Sequence, residues 1–234
     1  MRKKLSIIIP CKNEENYIGV LLDCLIEQGL PKYVEIIIAD AESTDNTLQI
    51  ISNYTNLLPN LKVIKGGLPS VGRNRGALEA EGDVLLFLDS DVYFKNTTLI
   101  LDSFEMFNEK KAELLGCLLN IENNLRVKII YFFCNIIFYL SKLDKPFVVG
   151  SYMMINKGAF LNIGGFDESL MHCEDYFLSK SIDTKKYVIL NEYTYTDDRR
   201  FKKLGTLQMI KYFIKNTINR NNKEYFKKDI GYWL

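Results

Sequence analysis

The apolar run Leu85-Leu86-Phe87-Leu88 stops abruptly at Asp89-Ser90-Asp91, and this stretch restricts the fold more than any other. Entered from Gly82-Asp83-Val84, it reads as a strand buried on both faces, as in parallel sheets covered by helices. In open α/β sheets, ligands sit outside the carboxyl ends of the strands. Alternation along extended backbone aims Asp89 and Asp91 the same way. Two carboxylates so aimed repel unless a cation or a proton joins them. Oxygen donors suit a hard divalent cation that keeps waters and shares substrate phosphates. Taken alone, the pair reads either as a metal site for a phosphorylated ligand or as a solvated strand-end turn, since Asp and Ser are common in turns.

The same pattern of an apolar run ending in polar residues recurs upstream. Leu5–Pro10 is a first buried strand, followed by a loop over Cys11–Asn16. A helix then reaches about Gln28, with Tyr17, Leu21, Cys24, Leu25 and Gln28 on one stripe and Gly29 and Pro31 as its stop. Val34–Asp40 is a second strand. Ser43-Thr44-Asp45 caps a helix over 46–54, and Leu61–Lys65 is a third strand. Gly66-Gly67 and Pro69 break the chain, and Ser70 is expected to cap the next helix, which carries Arg73, Asn74 and Arg75. This β-α alternation calls for a doubly wound, mainly parallel sheet with right-handed crossovers. Beyond Lys95 the pattern predicts helices over 97–107 and 127–143, strands over 114–120, 148–155 and 187–190, a short helix over 157–162, and another from Glu174 to about Ile182. The 127–143 segment is apolar almost all round. It reads as a buried helix, with a lipid- or acceptor-facing surface as the alternative.

A chain of 234 residues buries one substantial core. A net charge of +1 argues against a dedicated nucleic-acid binder. The average conceals a polarity, because 199–228 carries ten Lys/Arg against one acid, Glu224. Five scattered cysteines without C-x-x-C spacing fit reduced thiols in a cytosolic setting. The apolar stretch after Met1-Arg2-Lys3-Lys4 is too short for a signal peptide, and no run reaches the roughly 20 residues of a membrane span. Thr206–Arg220 reads as an amphipathic helix with Leu207, Ile210, Ile214 and Ile218 on one face. With Arg220, Lys223, Lys227, Lys228 and Tyr232-Trp233, it suggests docking on an anionic membrane. The competing expectation is that this apolar face packs on the sheet.

Polar clusters fall at strand ends or helix starts: Pro10 to Glu14, Asp40 to Asp45, Arg73-Asn74, Asp89-Ser90-Asp91 and Glu174-Asp175. There is no G-x-G-x-x-G and no G-x-x-x-x-G-K-[ST], against a dinucleotide fold and a P-loop. The stretches I-I-I-P-C-K-N-E-E-N-Y-I, A-D-A-E-S-T-D-N-T, G-R-N-R-G-A, L-D-S-D-V, G-G-F-D-E and E-D-Y-F-L-S follow in order over residues 5–182. In these the sequence resembles a family 2 glycosyltransferase of the GT-A fold. The resemblance implies a three-layer α/β/α architecture with a mainly parallel mixed central sheet. It also implies inverting, non-processive transfer of a hexosyl-type sugar from a nucleotide-diphosphate donor to a glycan or lipid-linked acceptor. The expected division is a catalytic domain over 1–200, with a nucleotide-sugar half (1–110) and an acceptor half (111–200), followed by a basic amphipathic tail over 201–234. The expected location is cytoplasmic, peripheral on the inner face of the cell membrane, with no nucleic-acid partner.

Residue by residue, the resemblance places Pro10, Glu14 and Asp40 at the nucleoside and Arg73 near the base and diphosphate. Asp89 falls at the ribose and Asp91 on a Mn²⁺ or Mg²⁺ ion bridging the diphosphate. Gly165 and Asp167, with Phe166 and Glu168, fall beside the donor sugar, and Asp175 matches the general base. Arg199-Arg200-Phe201 sits where relatives often place basic residues over the diphosphate, with a solvated basic turn as its other reading. These roles suit the chemistry, since a carboxylate activates the acceptor hydroxyl on one face and a cation neutralises the leaving diphosphate on the other. The sequence departs from the family at Asp40-Ala41, where many relatives have two acids, and it lacks Q-x-x-R-W, which speaks against a processive synthase. His172 reads as a loop histidine, or else as a metal or acceptor contact. Two further functions compete. One is a non-catalytic nucleotide- or glycan-binding scaffold. The other is a nucleotidyltransferase, which would need a Gly-rich basic loop where Cys11-Lys12-Asn13-Glu14 stands.

Overall fold

Apolar runs as continuous as Ile7-Ile8-Ile9 and Ile36-Ile37-Ile38 need cover on both faces, and helices supply it. The computed structural model describes residues 4–229. In it β1 (Leu5–Cys11), α1 (Ile18–Glu27), β2 (Val34–Asp40), α2 (Thr47–Tyr54), β3 (Leu61–Lys65), α3 (Pro69–Glu79) and β4 (Val84–Phe87) alternate in turn. They are followed by α4 (Leu99–Glu109), β5 (Leu114–Asn120), α5 (Leu125–Ser141), β6 (Met153–Asn156), α6 (Lys157–Asn162) and α7 (Glu174–Ser179). β7 (Tyr187–Tyr195), α8 (Arg199–Leu204), α9 (Thr206–Ile218) and α10 (Lys223–Phe226) complete the described chain.

The described strands form one seven-stranded sheet in the order β3-β2-β1-β4-β6-β5-β7. β1 pairs in parallel with β2 and β4, and β2 with β3, while β6 runs antiparallel between β4 and β5. This is the mainly parallel mixed sheet of the expected α/β/α architecture. Leu5, Ile7 and Ile9 of β1 join one buried cluster with α1 and α4, and Ile8 joins the other with Ala77 of α3 and Phe160 of α6. Period-2 alternation thus builds two cores from one strand. The register Pro10↔Ala39 and Cys11↔Asp40 brings the ends of β1 and β2 to one edge, where β4 also ends.

Several boundaries differ from the sequence expectation. α3 starts at Pro69, with Leu68 before it and Ser70 buried inside the first turn, so Ser70 is not the cap. Pro suits that first position because its missing N–H would be unpaired there anyway. Residues 148–152 are not strand. Val148 gives its N–H to Ser179 Oγ and accepts from the same hydroxyl (both 3.2 Å), and Gly150 N–H goes to Asp175 Oδ2 (3.1 Å). These groups are unavailable to a ladder, so β6 begins at Met153. α7 stops at Ser179, and its chain closes with Ser181 N–H on Leu178 O and Ile182 N–H on Ser179 O. β7 is longer than expected because it pairs with β5 on both sides of an irregularity between Gly116 and Leu118.

Two helices correct a larger expectation. α5 is not buried: only Val127 and Phe138 are, while Leu125, Phe132, Phe133 and Leu140 are each more than half exposed. α9 buries Met209 against Phe201 and Val127, with Tyr212 and Phe213 beside it. Leu207, Ile214 and Ile218, from the face expected to pack on the sheet, are 76%, 54% and 76% exposed. α8 runs through residue 200, so Phe201 ties the basic segment into the second half of the domain. Residues 1–3 and Tyr232-Trp233 lie outside the described residues. Among the described residues, no helix is long and apolar enough to cross a membrane.

α3 can lie on β1 only because Gly76 has no side chain, since a Cβ there would stand 2.4 Å from Ile8 Cγ2. Gly76→Ala should therefore destabilise the fold by about 1–3 kcal/mol, despite the better helix propensity of Ala. In thermal denaturation this is a fall in Tm of roughly 2–10 °C. An unchanged or raised Tm would contradict the close helix–strand contact.

Candidate active site

The loops after β1 and β2 are laced into one wall. Glu14 N–H donates to Thr47 Oγ1 (2.7 Å), Thr44 N–H to Asn13 Oδ1 (2.8 Å), and Asn13 N–H to Ser43 Oγ (2.9 Å). Asp40 accepts from Ser43 Oγ (2.6 Å) and Ser43 N–H (3.1 Å), forming the turn that ends β2. Asn13, Glu42 and Cys173 adopt left-handed backbone (φ 52°, 60° and 58°). Such strain in non-glycine residues tends to gather at functional sites, and all three of these line the clefts described below.

Two arginines organise the acids at this edge. Arg199, at the start of α8, donates to both oxygens of Glu14 (2.7 and 2.8 Å) and to Asp91 Oδ2 (2.8 Å), with its guanidinium 4.7 Å from the Tyr17 ring centre. Burial opposes its charge, but Glu14 and Asp91 more than restore it and raise its pKa. Arg73, on α3, is buried and donates to Asp89 Oδ1 (2.6 Å) and Glu174 Oε1 (2.7 Å). Here too burial is outweighed, by Asp89 and Glu174, and the pKa rises. A Cβ on Gly150 would meet Arg73 Nη2 at 2.4 Å, so the 148–152 segment can cross this guanidinium only with glycine there.

Asp175 follows Glu174. Its Oδ1 accepts from Tyr176 N–H (2.7 Å) and its Oδ2 from Gly150 N–H (3.1 Å). Burial and the neighbouring Glu174 raise its pKa to about 7 against the pull of Arg73. Asp91 is raised to about 6 by burial and by Asp89, against Arg199 and Arg200. A half-buried carboxyl that titrates near neutrality suits proton transfer at that pH.

Two clefts meet at Asp89, Asp91, Arg199 and Arg200. The larger, about 870 Å³, runs past Pro10, Glu14 and Ala41 to Lys65 and Arg75. Six basic residues (Lys12, Lys65, Arg75, Arg199, Arg200, Lys203) against four acids (Glu14, Glu42, Asp89, Asp91) line it, which favours an anionic ligand. The smaller, about 260 Å³, holds Asp175 and Arg73 at its polar end and extends between Tyr131, Phe138, Met209 and Phe213. Among the described residues no group of three or more His, Cys, Asp or Glu forms a cage for a metal. The donor set still fits Mg²⁺ or Mn²⁺, because such ions are often held by one or two carboxylates, with substrate phosphates and water completing the shell. Asp91, lining both clefts, is placed for that.

The family model described as "Glycosyl transferase family 2" matches residues 6–164. The chain belongs to glycosyl transferase family 2. It is 41% identical over 117 residues to the poly(ribitol-phosphate) β-N-acetylglucosaminyltransferase TarS of Staphylococcus aureus, a match covering 48% of this chain and 20% of TarS. It is 39% identical over 102 residues to the poly(ribitol-phosphate) β-glucosyltransferase of Bacillus spizizenii, covering 42% of this chain and 16% of that protein. The crystal structure of S. aureus TarS 1–349 in complex with UDP-GlcNAc superposes with a TM-score of 0.65 at 27% identity, over 82% of this chain and 58% of that one. The chain thus spans less than two thirds of these proteins.

Within this family 2 fold the expected site residues divide. Pro10, Glu14, Asp89, Asp91 and Arg199 line the larger cleft, and Arg73, Asp89, Asp91, Asp175 and Arg199 the smaller. Arg73, expected near base and diphosphate, pairs with Asp89 and Glu174 and lines the smaller cleft with Asp175. Asp40 does not line the larger cleft; its neighbours Ala41 and Glu42 do. Gly165 (φ 72°) and Asp167 line neither cleft. Asp167 accepts from Ser169 and pairs with Lys223, and although burial opposes this, Lys223 and Ser169 hold its pKa down at about 2. His172 is buried against Tyr225 and Phe226, as an ordinary packed loop residue. Asn74 has a larger part than its place in G-R-N-R-G suggested. It exchanges hydrogen bonds with Phe166 (2.8 and 2.9 Å) and donates to Glu168 Oε1 (2.9 Å), pinning the G-G-F-D-E loop. Glu174 and Arg200, named only as neighbours of Asp175 and Arg199, line the smaller cleft as well, and so do apolar side chains of the 127–143 segment. The aromatic richness of 129–139 was the only sequence signal for the last.

Arg73→Met would leave Glu174 buried without its counter-charge. Urea unfolding should show a loss of about 3 kcal/mol or more, as for other broken buried ion pairs. A loss within a few tenths of a kcal/mol would mean that the bridge does not hold β4 and α7 together.

Proposed function

We propose that the chain transfers a sugar, with inversion, from a nucleotide-diphosphate donor to the hydroxyl of a glycan or lipid-linked acceptor. The observation that carries this reading is the meeting of the two clefts at Asp89 and Asp91. A base-lined pocket opens there onto a charged groove large enough for a nucleotide sugar. A binding scaffold has no use for a half-buried carboxyl poised near neutrality in the adjoining pocket. The name of TarS and its complexes with UDP-GlcNAc and UDP support a uridine nucleotide as donor.

In this reading Pro10, Glu14 and the loop after β2 hold the nucleoside, while Arg199, Arg200 and Lys203 face the diphosphate. Asp89, fixed by Arg73, is turned toward the ribose. A Mg²⁺ or Mn²⁺ ion held by Asp91 and the diphosphate would act as a Lewis acid on the leaving group. Asp175 takes the proton of the acceptor hydroxyl. The hydroxyl oxygen bonds to the anomeric carbon as the bond to the diphosphate oxygen breaks, and the nucleoside diphosphate leaves with the electron pair. Gly150 N–H and Tyr176 N–H hold the Asp175 carboxylate in place for that transfer. Gly165 and Asp167 act at one remove, by shaping the loop that Asn74 pins.

The test is a panel of nucleotide sugars with Mg²⁺ or Mn²⁺, read as released nucleotide. Turnover of one donor is expected, and nucleotide binding without release across the panel would favour a scaffold. Asp91→Ala should remove the metal-dependent part of nucleoside diphosphate affinity in calorimetry, because it removes the carboxylate facing the diphosphate. Retained metal-dependent affinity would take Asp91 out of that role.

Asp175→Asn should leave donor affinity intact and lower transfer by about 10²–10⁴-fold, since the amide cannot accept the proton. In the parent, kcat/KM should rise with pH through about 7 and then level, because the carboxylate is the active form and burial holds its pKa there. A flat profile from pH 5.5 to 8, or an Asn variant within a few-fold of the parent, would exclude Asp175 as the base.

A further inference from the structure

α5 carries an apolar surface that the fold leaves open. Leu125, Ile129, Phe132, Phe133, Ile136 and Leu140 are between 39% and 73% exposed. At about 100° per residue they share one half of the helix, and Arg126 and Lys128 fall near its two margins. Lys142 and Lys145 follow at the C-terminal end, and Asp144 is the only acid between Glu122 and Asp167. The exposed half continues over the lip of the smaller cleft, because Ile137 is both 50% exposed and part of its lining. Across that cleft, α9 also lines it, through Met209, Phe213 and Thr217. α9 exposes Leu207, Ile214 and Ile218, with Lys211 and Lys215 alongside, in a stretch without acids from 199 to 223.

We propose that α5, joined by the outer stripe of α9, docks on an anionic membrane with its axis in the interface plane. The charge pattern selects this occupant. Apolar side chains flanked by lysine and arginine match acyl chains beneath anionic headgroups. A second copy of the chain would instead set one basic margin against another, where like charges repel. At 17 residues, about 25 Å, α5 is too short to span a bilayer and lies on it. The cleft between α5 and α9 then opens at the lipid surface, with Asp175 at its inner end. A lipid-linked acceptor would enter from that side, a consequence that rests on the transferase reading, whereas the docking itself does not.

The full chain should co-sediment with vesicles of phosphatidylcholine containing about a third phosphatidylglycerol, bind pure phosphatidylcholine weakly, and dissociate as salt rises toward about 0.5 M. Phe132→Ser combined with Phe133→Ser should lower the partition coefficient by about tenfold or more, since each buried phenyl group contributes strongly to transfer from water. Arg126→Gln with Lys128→Gln should remove most of the preference for anionic vesicles. Both sets are surface positions, so the thermal melt should be unchanged. Nucleotide release from the donor in lipid-free buffer should also be unchanged, which separates failure of docking from failure of the transferase reading. Equal binding of parent and phenylalanine variant, or no preference for anionic lipid, would overturn the proposal. So would a lipid-free dimer that the same variant converts to monomer, because a second copy would then cover this face.

Discussion

The buried guanidinium of Arg73 is the constraint on which the rest of the site depends. It reaches Asp89 at the end of β4 and Glu174 at the start of α7, residues from separate halves of the domain. Moving either acid would break one of the two charge-assisted hydrogen bonds that the buried guanidinium makes. The planar fork engages both at once, which a lysine ammonium does not reproduce. Asp175 follows Glu174 directly, so the same bridge fixes the proposed base relative to the acids that face the donor cleft. Gly150 is drawn in as well, since its backbone crosses the guanidinium and donates to Asp175. The next residue of α3, Asn74, ties down the G-G-F-D-E loop. A single turn of helix thus sets three pieces of chain that are distant in sequence.

This explains what the sequence could and could not disclose. The parallel strands were legible almost to the residue, because burial on both faces writes an unbroken apolar run ending in polar residues. The acids at those ends were legible for the same reason. Their partners were not, since no local spacing signals that Arg73 meets Glu174 101 residues away or that Arg199 reaches back 185 residues to Glu14. Asp40 and Asp167 show the opposite case. Their carboxylates sit beside the right loops but are engaged by Ser43 and Ser169 in local turns. Residues 148–152 look like strand because Val148 and Val149 are β-branched, yet their neighbourhood gives its backbone groups to Ser179 and Asp175. α5 was misread because an apolar helix is ordinarily an enclosed one, and here the domain covers only one side of it.

The acids at the edge where the clefts meet are paired with the chain's own arginines. Arg199 holds Glu14 through both oxygens and Asp91 through one, while Arg73 holds Asp89, so each acid there has a cationic partner on an adjacent element. Arg199 opens α8, whose Phe201 packs on Ile121 and Val127 and whose chain continues into α9. The arginine that ties Glu14 to Asp91 in the larger cleft is thus attached, within one turn of helix, to the apolar wall of the smaller one. The two clefts therefore share this one short segment as a common wall.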